Sequence, residues 1–124
     1  MYSVEADRLK RLIVISAAGH VTKAKVKAAA ERVREIVKDA ESGLCLLTDF
    51  RWLESMDPSA APDVAQIMDV LTEKQVESVT RVVPDPRKDI GLNILSQFYY
   101  DPKIRIATFE TLADAVRSLI GLSD

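Results

Sequence analysis

The stretch "LCLLTDF", residues 44–50, opens with four apolar residues in a row. Successive side chains of a β-strand point to opposite faces, so a strand without polar alternation needs both of its faces covered. This is the demand of a central strand in a sheet with helices on either side. It constrains the remaining sequence more than any other feature, because helices and further strands must be found to satisfy it.

They are found at regular intervals. Residues 2–9 and 11–17 read as two strands: Tyr2, Val4 and Ala6 alternate with polar residues, and "LIVI" (12–15) is a short β-branched run. Strands so close in sequence pair as a hairpin. "AAGH" (17–20) interrupts the pattern, and Thr22 is placed to cap a helix reaching Ala40. In that helix Val26, Ala29, Ala30, Val33, Val37 and Ala40 follow helical spacing, and "SG" (42–43) stops it. A second helix over residues 59–75 carries Val64, Ile67, Met68 and Leu71 on one face. "SVTRVV" (78–83) is a strand ended by "PDP". A third helix, 89–99, is expected to bury Ile94, Leu95 and Phe98. "KIRIATF" (103–109) is the last strand, and a helix over 111–120 presents Leu112, Ala115, Val116 and Leu119. Three Asp-Pro pairs (57–58, 85–86, 101–102) all fall in connections. The order ββαβαβαβα argues for one α/β domain spanning 1–124: an N-terminal hairpin joined to a mostly parallel sheet with right-handed crossovers.

Composition narrows the function classes. With 124 residues, 48% hydrophobic and 29% charged, the chain can bury a core without disulfides or metal. Its formal net charge of −2 is scattered, which gives no general attraction to nucleic acid or an anionic membrane. The N-terminal residues lack the apolar core of a signal peptide, and no apolar run approaches a bilayer span. A cytoplasmic protein is expected. The single cysteine, Cys45, lies in the central strand, where a thiol is expected to be buried and inert. The lone His20 has no serine or cysteine at a recognised catalytic spacing. The four glycines are too dispersed for a phosphate loop, and no His/Cys cluster suggests zinc. No catalytic residue, metal or cofactor is expected.

Together, the hairpin, the glycine before the first helix, "LLTDF" on the central strand, "MDPSAA" (56–61) opening the next helix and the closing "ATFETLADAV" (107–116) resemble the STAS domain. Its best-known members are the bacterial anti-sigma-factor antagonists, and the similarity covers nearly the whole chain. In those proteins the turn after the central strand carries Asp, two hydroxyl residues and Gly, and a kinase phosphorylates the second hydroxyl. Asp57 matches the Asp and Ser59 the phosphorylated position, while Pro58 and Ala60 replace the first hydroxyl and the glycine. The resemblance implies a non-catalytic regulatory or protein-interaction module, its partner a kinase or anti-sigma-like regulator, and it allows a homodimer. It equally allows a binder of a small apolar or lipid-like ligand.

Two candidate sites follow. Ser59 opens a helix, where unpaired N–H groups and a partial positive charge suit a phosphate. The same position suits a plain N-cap. The second site is the set Asp49, Arg51, Trp52, Asp85 and Arg87, just beyond strands expected to be parallel, where open α/β sheets bind ligands. These charges also suit pairing with one another on a solvated edge. Met56 and Asp57 join them, giving an expected working surface from Arg51 to Asp63. In it Trp52 either folds back over the core or meets a partner. Lys23 and Lys27 put positive charge at the start of the first helix, against its dipole, and read as a solvated face. "FYY" (98–100) reads as structural, with Phe98 buried.

Overall fold

A computed structural model describes residues 2–7, 11–40, 43–85, 87 and 90–121. Five strands form one sheet in the order β1-β2-β3-β4-β5. They are β1 (Tyr2–Asp7), β2 (Leu12–Val21), β3 (Cys45–Met56), β4 (Ser78–Val82) and β5 (Arg105–Phe109). The hairpin strands β1 and β2 are antiparallel, and every later neighbour is parallel. The helices are α1 (Lys23–Lys38), α2 (Ala61–Glu73), α3 (Ile90–Tyr99) and α4 (Leu112–Gly121).

This strand order decides where the helices lie. Right-handed crossovers that always step in the same direction deliver their helices to one face. Accordingly α1, α2 and α3 share a core with that face, whereas α4 packs on the other against Leu47 and Val82. A row of residues in register, Ile13, Leu46 and Val79, forms the floor of the larger core. Each is almost wholly excluded from water, worth about 1.5–3 kcal/mol per side chain. Helix α1 buries Val26, Ala29, Ala30, Val33 and Val37, as its spacing requires, and the Thr22 side chain accepts the Lys25 N–H at its start.

The structure departs from the sequence pattern in several places. Strand β2 does not stop at Ala17 but continues to Val21 through Gly19, whose φ of +69° is native to glycine. Strand β3 likewise runs on to Met56, past the expected end at Phe50. Two register shifts in the β2–β3 ladder place extra residues on β3, and such bulges bend and twist a strand. Because β4 pairs β3 only as far as Asp49, the rest of β2 and β3 leaves the sheet as a two-stranded ribbon. The second helix begins with a 3₁₀ turn, Pro58–Ala60, before α2 proper.

Burial differs too. Cys45 is half-buried instead of sealed in, since it faces the side covered by α4 alone, at the start of its strand. On α3, Ile94 and Phe98 are 52% and 77% exposed, and the expected burial of both fails. The helix instead turns Ser96 inward to meet Arg81, which is 2% exposed in the centre of β4. Arg81 also donates to Asn93 Oδ1 at 3.1 Å. This polar clamp, together with Leu92 and Leu95 packed on the core, seats α3 and leaves Ile94 and Phe98 outside. Val116 of α4 is likewise exposed in part, while Ala115 is sealed. Expected residues 8–9, Ser42 and Asp89 lie outside the described residues.

Candidate functional site

The ribbon and the start of α2 meet where Val21 ends β2. The Asp57 N–H donates to the Val21 carbonyl at 2.9 Å, which fixes the turn after β3. The Asp57 side chain then accepts the Ser59 N–H at 3.0 Å and the Ser59 hydroxyl at 2.8 Å. Asp57, and not Ser59, is therefore the capping residue, and Ser59 is its exposed donor. These two bonds, with His20 and Lys23 nearby, hold the Asp57 carboxyl below its usual range.

Lys23 ties this turn to α1. Its Nζ lies 2.7 Å from Asp63 Oδ2 and donates to the Ser59 carbonyl at 3.1 Å. The cation at the start of α1 is thus answered by a buried carboxylate in the first turn of α2, where a negative charge also suits the dipole. Beside it His20 Nδ1 and Ser55 Oγ are hydrogen-bonded at 2.6 Å across the ribbon. Neither Lys23 nor His20 stood out in the sequence as part of this group. Only the pairing of β2 with β3 beyond residue 50 brings them to Ser59.

The second candidate set divides into two local clamps. Arg51 donates to both oxygens of Asp49 at 2.9 Å, and its backbone N–H joins at 3.2 Å. The Asp49 carboxyl is held below its usual range, first by the Arg51 side-chain bonds, although burial opposes this. Arg87 closes on Asp85 in the same way at 3.0–3.1 Å. Each aspartate is gripped by the arginine two residues on, so these charges are largely spent on their own strand ends. Trp52 does not cover core. It is 68% exposed, beside Ala18 on the face turned away from α1–α3, with the Arg51 guanidinium 5.7 Å from its ring centre. Met56 instead points inward and lines both an internal cavity and an open groove.

The internal cavity lies between the sheet and α1–α3, walled by Ile15, Leu46, Phe50, Met68 and Tyr100, with Arg81 at one side. Its volume is about 70 Å³, about half of the ~150 Å³ that admits a benzene. Burial there pushes the Tyr100 hydroxyl up to about 12 against a small opposing effect of Arg81. Among the described residues no group of three His, Cys, Asp or Glu could hold a metal, and no helix is long and apolar enough to cross a membrane.

No protein-family model matches the chain, and no curated protein matches it significantly. Solved structures do match. An uncharacterised DUF3478-family protein from Shewanella loihica, described as having a SpoIIAA-like fold, superposes with a TM-score of 0.70 at 16% identity, over 96% of this chain and 92% of that one. The anti-sigma-factor antagonist SpoIIAA in its unphosphorylated form gives 0.68 at 16% identity, over 98% and 99%. The fold is SpoIIAA-like. The structure of diguanylate cyclase SiaD with its activator SiaC, from Pseudomonas aeruginosa, matches with a TM-score of 0.56 at 14% identity, over 88% and 93%. The STAS-like architecture expected from the sequence is therefore the observed one.

Proposed function

We propose that this chain is a non-catalytic regulatory module that binds a protein partner through the ribbon and helix start, Arg51 to Asp63. The observation that carries the reading is the exposure of Trp52 and Ser59 on a rigid support. A 68% exposed tryptophan on a doubly bulged ribbon contributes little to its own fold, and tryptophan is enriched among the residues that dominate interfaces. The SpoIIAA-like neighbours agree: one is an anti-sigma-factor antagonist, and another structure pairs an activator with the cyclase it activates.

Ser59 is the proposed control point. A phosphate there would place a dianion within hydrogen-bond distance of the Asp57 carboxylate, where like charges repel. The Asp57 cap would be lost and the turn 57–60 reorganised, so partner binding would fall. The tight internal cavity gives the lipid-like alternative no support.

Affinity capture from the native host, read by mass spectrometry, tests the proposal. A protein retained by wild type and lost with both Trp52→Ala and Ser59→Asp is expected. A partner retained equally by all three chains would overturn it.

A further inference from the structure

We propose that the open groove beside Ser59 seats one large apolar side chain from a basic segment of the protein partner. This deepens the function proposed above and rests on it. The groove encloses about 300 Å³, the lower end of the range for small-ligand pockets and enough for a single anchoring side chain. Leu53 and Met56 of the ribbon, Val64 of α2, and Leu92 and Leu95 of α3 supply its apolar walls. Among the described residues its polar lining is Glu54, Ser55 and Asp57. Glu54 is exposed, and Asp57 is held in its charged form by its bonds to Ser59. An apolar slot rimmed by carboxylates selects a cationic partner segment and rejects an acidic one. Such anchors in water-excluding pockets carry most of an interface's energy.

The groove can be closed without harming the fold. Gly91, near the start of α3, lines it, and a Cβ built there meets nothing within 4 Å. Gly91→Phe therefore fills the mouth of the groove while improving helix propensity.

The test is an amide NMR titration with a short amphipathic peptide of lysine and leucine, against its glutamate and leucine counterpart. The lysine peptide is expected to shift Leu53, Glu54, Gly91, Leu92 and Leu95 saturably. Gly91→Phe should weaken it roughly tenfold with no loss of Tm, and Glu54→Lys should weaken it while admitting the glutamate peptide. Val116→Ala, on α4 at the opposite face of the sheet, should leave it unchanged. Equal binding of both peptides, shifts centred on Ile94 and Phe98, or no saturable shift would overturn the groove. Saturable shifts at residues 51–59 that ignore Gly91→Phe would also overturn it, yet leave the Arg51–Asp63 surface standing. Failure of that wider surface is read separately, from a captured partner indifferent to Trp52 and Ser59.

Discussion

Between Cys45 and Asp49, β3 is hydrogen-bonded to β2 on one side and β4 on the other; from Phe50 to Met56 it keeps only β2. The inner half carries Leu46 at 1% exposure and the outer half Trp52 at 68%. Both halves are extended, both contain large apolar residues, and they differ in how many neighbours the chain supplies. Apolar residues in the first half stabilise the protein. In the second, Phe50, Leu53 and Met56 still pack against the core, and Trp52 stands largely exposed. On the function proposed above, the strand is scaffold in one half and working surface in the other, with the change marked by the point where its second partner ends.

This contrast can be broken most sharply at its inner end. Leu46→Ala is expected to cost about 2–5 kcal/mol, measured by denaturant unfolding, because the floor of the main core is removed. Tyr100 tests the same interior by pH. Its hydroxyl is raised above the ordinary value of 10.0 to about 12, so the stability it contributes is whole below the unfolded value. That stability is lost as pH rises from the ordinary value through the folded one. Phenolate absorbance in wild type minus Tyr100→Phe should therefore appear only near the upper limit or on unfolding. A signal at the ordinary value would place Tyr100 in water.

At the junction between the halves the effects are smaller. Asp57→Ala should lower Tm by roughly 3–5 °C through loss of the cap, whereas Ser59→Ala removes one exposed donor and should lower it by less. Equal effects would restore Ser59 as the cap. The Asp57 contribution has the acid sign: its carboxyl is depressed, so stability is present above the unfolded value and lost as pH falls through the folded one. A pH–stability curve of Asp57→Asn should be flatter on that side. The smallest change belongs to the outer half. Trp52→Ala is expected to stay within about 0.5 kcal/mol of wild type, and a loss like that of Leu46→Ala would erase the distinction.

Periodicity made the core legible. The inner half of β3 and the buried face of α1 follow from spacing alone, because their partners are the nearest elements in the chain. The ribbon was not legible, since "RWLESM" has no strand alternation of its own. It is extended because β2 continues beside it and bulges absorb the mismatch. The same limit applies to α3, whose Ile94 and Phe98 have helical spacing but whose seating also depends on Arg81 binding Ser96 and Asn93. The lone arginine inside "SVTRVV" was the available signal. Of the candidate sites, Asp57 and Ser59 were visible as a helix start, but which of them caps depended on side-chain geometry. Cys45, half-buried, should label slowly in the native state instead of resisting the reagent.

The strand order has a consequence for how the protein is made. Each strand pairs with the one synthesised immediately before it, so the sheet can extend in step with the ribosome, and no strand waits for a distant partner. The exception is the far face. Leu47 and Val82 are covered by α4, which emerges after all five strands. At about 5–20 residues per second, the nascent sheet passes several seconds with that face and the open edge of β4 uncovered. The interval between β4 and α4 is therefore when the growing chain is most exposed to aggregation through that face.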